Sequence, residues 1–119
     1  LHPAYWKLEG MPTSAAYEGV AEATRAAGRP EAGCLVLGRG ADTAAVERWL
    51  QLAAPLPAYR GFAVGRTLWW DPLKAVLAGA CQERDAVDRI ATNYRHLVDL
   101  YLAATHTRGN SPPRAFWRQ

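Results

Sequence analysis

The 119-residue sequence predicts an α/β fold with parallel strands. Three observations carry that expectation. Short apolar segments bounded by glycine alternate with longer segments of helical period, in the order strand, helix, strand, helix, strand, helix. The segment "GCLVLGRG" (33–40) is continuously apolar at its centre, the pattern of a strand buried on both faces. The stretch 84–104 places Val87, Ile90, Ala91, Tyr94, Leu97, Val98, Tyr101 and Leu102 at i, i+3, i+4, i+7 spacing, a long amphipathic helix.

The elements follow in order. Residues 4–9 read as a strand in which Tyr5, Lys7 and Glu9 share one face and Trp6 and Leu8 the other. Gly10 and Pro12 end it, and Thr13 or Ser14 caps a helix over Ala15–Ala27 with Tyr17, Val20, Ala21 and Thr24 on its buried stripe. Gly28 and Pro30 stop that helix. After the strand in 33–40, a second helix starts at Thr43, with Val46, Trp49, Leu50 and Ala53 on one side, and ends before Pro55. "YRGFAVGRT" (59–67) is the third strand. Asp71 then offers an N-cap, with Pro72 in the first turn of a short helix that closes near Gly79. The long helix 84–104 completes a unit of residues 1–104, and 105–119, rich in breakers, reads as a flexible tail.

Composition narrows the class. Half the residues are hydrophobic and 21% charged, as in a soluble globular domain. The net charge is +3, but basic and acidic residues alternate through Glu83–Asp99, which suits a solvated helix face better than a nucleic-acid patch. The two cysteines, Cys34 and Cys81, lack metal-ligand spacing and fit a reducing, cytoplasmic setting. No apolar run nears the ~20 residues of a membrane span, and the first residues lack the order of a signal peptide. The chain starts at Leu1 with a strand following at once, so it is expected to be cut from something longer.

Chemistry concentrates where strands end. Gly38-Arg39-Gly40 and Gly65-Arg66-Thr67 place the same dipeptide after consecutive strands. Glycines there let a ligand approach the backbone, and an arginine can bind phosphate with two parallel hydrogen bonds. In (β/α)8 barrels a phosphate is frequently held by the loops after the seventh and eighth strands, beside a short extra helix. The short helix at Asp71–Pro72 therefore assigns these strands as the last three of such a barrel. Ordinary surface turns carrying Arg39 and Arg66 are the alternative. Lys7 would then face the barrel interior, where desolvation and neighbouring cations favour a nucleophilic amine. Glu9, two residues on, could pair with Lys7 or relay protons. A Lys7–Glu9 pair at the rim, or a lysine reaching out of the core, is the alternative.

Other residues carry less. His2, His96 and His106 lack ligand spacing, and no metal or other cofactor is expected. Cys34 fills space in a strand. Trp69 and Trp70 pack on the last helix or roof a sugar-sized ligand. "GRGADTAAV" fits neither a dinucleotide fingerprint nor a phosphate-binding P-loop.

Together "YWKLEG", "GCLVLGRGAD", "GFAVGRTLWWDPL" and "AVDRIATNYRHLVDLYLAA" resemble the class I aldolase-like domain related to tagatose bisphosphate aldolase. The similarity covers about residues 2–104. It is greatest to the 2-deoxy-5-keto-gluconate 6-phosphate aldolase domain fused to 5-dehydro-2-deoxygluconokinase in inositol catabolism. The resemblance implies that Lys7 is the Schiff-base lysine, with Glu9 beside it, and that Gly65 and Arg66 form the phosphate-binding turn. Gly38, Arg39 and Gly40 match the preceding strand end, although other members carry a different residue at the arginine position. Everything corresponding to the first five strands and to the kinase is absent. The implied reaction cleaves a phosphorylated keto-sugar acid to dihydroxyacetone phosphate and malonate semialdehyde, with little turnover by this chain alone. Its expected partners are the remaining barrel strands or a second copy, with neither nucleic acid nor membrane. A non-catalytic phosphosugar-binding or assembly fragment is the second reading. Nucleic-acid binding by a tail carrying Arg108, Arg114 and Arg118 is a third.

Overall fold

Each helix begins where a polar side chain or a backbone turn can satisfy its first amides. A computed structural model describes residues 3–28 and 31–106; the expected stop at Pro30, His2 and the tail beyond His106 lie outside them. The elements are β1 (Tyr5–Glu9), α1 (Ser14–Ala26), β2 (Gly33–Leu37), α2 (Thr43–Ala53), β3 (Tyr59–Ala63), α3 (Arg66–Leu77) and α4 (Glu83–Thr105). Thr13 caps α1 by accepting the Ala16 N–H at 3.3 Å, and Asp42 caps α2 by accepting that of Ala45 at 2.7 Å. Gln82 and Asp85 close a reciprocal capping box on α4.

The strands form one parallel sheet in the order β1-β2-β3. Register pairs Lys7 with Leu35, Leu8 with Val36 and Glu9 with Leu37, then Val36 with Phe62 and Leu37 with Ala63. A bulge between Cys34 and Leu35 sets these opposite Tyr59 and Gly61, leaving Arg60 as the extra residue. Because paired residues of parallel strands point to the same side, Leu8, Val36 and Phe62 share one face and Lys7, Leu35 and Gly61 the other.

All four helices feed one core on the first of those faces. Tyr17 of α1, Val46, Leu50 and Ala53 of α2, Leu68 of α3 and Leu97 and Tyr101 of α4 pack with Cys34, Val36 and Tyr59. Hydrogen bonds fix the aromatic members: the Tyr17 hydroxyl accepts the Met11 N–H at 2.7 Å, and the Tyr101 hydroxyl donates to the Tyr59 carbonyl at 2.9 Å. Gly10 serves a close approach: a methyl group there would lie 1.9 Å from Trp49 Cδ2, so glycine lets the indole cross the end of β1. The expectation that β2 is buried on both faces is corrected. Cys34 and Val36 are fully buried, whereas Leu35 and Leu37 are half-buried, because the described elements cover one side of the sheet.

The third unit also differs from the sequence reading. β3 stops at Ala63, and α3 opens at Arg66 instead of Asp71. The Gly65 carbonyl accepts the Leu68 and Trp69 amides at 2.8 and 3.3 Å, winding the first turn early. Asp71 is thus inside α3, paired with Lys74 at 3.3 Å, and buried Pro72 sits in mid-helix. A mid-helix proline forfeits the bond to the carbonyl four residues back. Here that carbonyl belongs to Leu68, and the Asn93 side-chain amide of α4 donates to it at 2.9 Å. The proline's lost bond is replaced by one that ties α3 to α4.

Two predictions follow from this packing. Asn93→Ala should lower stability by about 1 kcal/mol in urea unfolding. The same change should cost measurably less in a Pro72→Ala background, where a restored backbone N–H takes over the Leu68 carbonyl; equal costs in both backgrounds would refute the substitution of one bond for the other. The second prediction concerns alkaline pH. Burial pushes the Cys34 thiol above its ordinary 9.0, against an opposing effect of Arg60, and the Tyr17 and Tyr59 phenols above their ordinary 10.0. The unfolded chain therefore loses these protons first. Stability is fully present below pH 9 and falls as pH climbs towards the folded values. Cys34→Ala should delay that fall to about pH 10 in denaturation series across pH, where the tyrosines take over.

Candidate functional site

The carboxyl ends of all three strands open on one rim of the sheet, and Glu9, Arg39 and Arg66, singled out in the sequence, lie there. At the end of β2 the chain turns through two successive left-handed residues, Arg39 at φ 53° and Gly40 at φ 74°. A non-glycine residue in that region is uncommon and marks a position fixed by its surroundings. Beside this turn the Glu9 carboxylate forms an ion pair with the Arg39 guanidinium across the β1–β2 edge. Register explains the meeting, because Glu9 lies beside Leu37 and Arg39 follows two residues later.

The second arginine arrives from α3. The guanidinium of Arg66 lies over Gly40, where a Cβ would be only 3.1 Å from Arg66 Cζ. Glycine at position 40 thus supplies both the left-handed turn and room for the arginine. Gly40, Arg66 and Trp70 line a cavity of about 290 Å³. Trp70 is half-exposed, meets Trp69 edge to face at 5.9 Å, and has the Lys74 ammonium 5.8 Å from its ring centre. Thr67 locks the two loops together by donating its hydroxyl hydrogen to the Ala41 carbonyl at 2.6 Å. The exposed cavity therefore presents one free-facing guanidinium, a glycine backbone and an aromatic wall, a combination suited to an anion carried on a small organic group.

The remaining expected residues fall around this centre. Gly38 packs against Val64, 2.9 Å from the position of a Cβ, and Gly65 caps α3 with the Trp69 indole nitrogen 3.2 Å from such an atom. Both glycines have packing roles as well as a place beside the loops. Lys7 is exposed on the face away from the helices, and its side chain takes part in none of the ion pairs or side-chain hydrogen bonds among the described residues. The Lys7–Glu9 pair is not formed, because Glu9 turns to Arg39. Lys7 and Arg66 belong to opposite edges of the sheet, with β2 between them, a strand separation of about 10 Å.

Sequence reasoning left His96 without a partner. It bonds to Glu47 of α2 at 2.6 Å, beside a second cavity of about 270 Å³ lined by Thr43, Thr67, Thr92 and Asn93. Helical spacing alone could not join α2 to α4, so no signal in the sequence pointed to that pair. Among the described residues no group of three or more His, Cys, Asp or Glu side chains could hold a metal ion, and no helix is long and apolar enough to cross a membrane.

Comparison with known proteins gives one match. A family model described as "Uncharacterized protein conserved in bacteria (DUF2090)" matches residues 1–105. No curated protein and no solved structure matches the chain. Since the family model spans every described element, from β1 to α4, the chain belongs to the DUF2090 family of bacterial proteins.

Proposed function

We propose that this chain forms the last three strand-helix units of a (β/α)8 class I aldolase acting on a phosphorylated keto-sugar acid, 2-deoxy-5-keto-gluconate 6-phosphate, in cytoplasmic inositol catabolism. The observation that carries the reading is the cavity in which Arg66 lies over Gly40 at the carboxyl ends of consecutive parallel strands. That rim is where barrel enzymes hold their substrates. Two further features support it. The strands follow in sequence order with helices on one face, the winding of a barrel wall. The other face, which a barrel would close, carries Lys7.

In this mechanism Arg66, with the Gly65 and Gly40 backbone, holds the 6-phosphate. The Lys7 amine attacks the substrate ketone and, with loss of water, forms an iminium. A base removes the proton from the hydroxyl on the carbon beyond the breaking bond. The carbon-carbon electron pair moves into the iminium, malonate semialdehyde leaves, and an enamine of dihydroxyacetone phosphate remains on Lys7. Protonation and hydrolysis of that enamine release dihydroxyacetone phosphate. Glu9 is placed to orient Lys7 or to pass protons. Because Lys7 is exposed, this chain supplies the nucleophile without its enclosure, and turnover needs the remaining strands or a second copy. The same exposure favours the second reading, a phosphosugar-binding or assembly module without catalysis.

Borohydride reduction in the presence of dihydroxyacetone phosphate, read by intact mass, separates the two. Aldolase chemistry predicts an adduct on the wild-type chain that Lys7→Ala abolishes. A folded chain with no adduct, yet still binding phosphate, would leave the aldol chemistry to the complete barrel and this chain as the binding module. Arg66→Ala should weaken phosphate binding by about 10-fold or more in calorimetry under either reading, the value of a charge-assisted hydrogen bond. Unchanged affinity would remove the cavity from the proposal.

A further inference from the structure

The Glu9–Arg39 pair points beyond that reading, although it rests on the assignment of an anion to this rim. We infer that Glu9 is an internal competitor for the anion: its carboxylate occupies the Arg39 guanidinium, and a phosphate monoester must displace it.

Three features carry this inference. The pair is well over half exposed on both sides, 64% and 65%, so water screens it and it holds the two side chains together only weakly. A dianion brings more charge and more acceptor oxygens to the same guanidinium fork, so it competes favourably. The second feature is position. Arg39 directly precedes Gly40, whose backbone lies under the Arg66 guanidinium, so the Glu9–Arg39 pair borders the cavity that Gly40, Arg66 and Trp70 line. The third is what release does. Glu9 shares a strand face with Lys7 two residues away and has its carboxylate held towards Arg39. Displacement by phosphate frees a carboxylate on the face that carries the lysine, about 7 Å along the strand. Ligand binding at the loops thus sets the charge beside Lys7.

The measurement is inorganic phosphate and glycerol 3-phosphate binding to the full chain by calorimetry at low ionic strength. Glu9→Gln, which keeps the size of the side chain, should tighten both by about 3- to 10-fold, because it removes the competitor and a repelling charge. In an Arg39→Ala background the same change should tighten binding by clearly less, since the competed group is gone. Equal affinity of wild type and Glu9→Gln, with binding lost in Arg66→Ala, would overturn the inference and leave the anion site standing. Weaker binding by Glu9→Gln would overturn it as well and make Glu9 a support of the loop. No binding by wild type or by Glu9→Gln would overturn both the inference and the anion assignment.

Discussion

A parallel strand can be followed by its neighbour only through a crossover, and both crossovers of this sheet, α1 and α2, lie on one face. The rest of the molecule depends on that placement. Since β1, β2 and β3 run in the same direction, the loops that follow them, 10–13, 38–42 and 64–65, emerge at the same rim. Residues distant in sequence therefore meet there, Glu9 with Arg39 and Gly40 with Arg66. The opposite face keeps a row of half-buried leucines beside an exposed lysine, and the outer strand shows Tyr5 and Trp6 nearly half to solvent.

α4 turns this one-sided layer into a positioned site. Its side chains reach three other elements: Tyr101 to the Tyr59 carbonyl of β3, Asn93 to the Leu68 carbonyl of α3, and His96 to Glu47 of α2. Phe62 packs against both Tyr94 and Tyr101 with ring centres about 6 Å apart, so the end of β3 is held as well. The Asn93 bond matters most for the rim. It supports α3 at the level where Pro72 would weaken it, and α3 carries Arg66 and Trp70 in its first two turns. Thr67 then ties that first turn to the β2–α2 loop, and the arginine is delivered over Gly40 by two bonds made at a distance from it.

The order and kind of the elements were legible because each depends on local chemistry. Glycines bracket the strands, Thr13 starts α1, and the stripe from Val87 to Leu102 marks α4. The start of α3 was not legible. Asp71-Pro72 has the form of a helix opening, and only Asn93, twenty-odd residues later, makes a proline acceptable in mid-helix. Glu9 shows the same limit at the site. Strand periodicity placed it with Lys7, whereas its partner was decided by register between β1 and β2, which no single segment encodes. Arg66 was found from its dipeptide and Trp70 only as one of two readings, since the cavity between them exists only after α3 opens five residues early.

What Lys7 can do is settled by its surroundings more than by its identity. An exposed ammonium is hydrated, and a nucleophilic amine needs that hydration removed or cations placed near it. The described elements put Arg39 and Arg66 at the rim but leave the face around Lys7 open, and Arg39 is paired with Glu9. A wall over this face would change every one of these conditions together: it would exclude water, strengthen the charges at the rim, and give the half-buried Leu35 and Leu37 something to pack against. Under the proposed reading the same residues would serve as an anion-binding surface when the sheet stands alone and as a Schiff-base site when it is enclosed, and enclosure is the physical difference between the two.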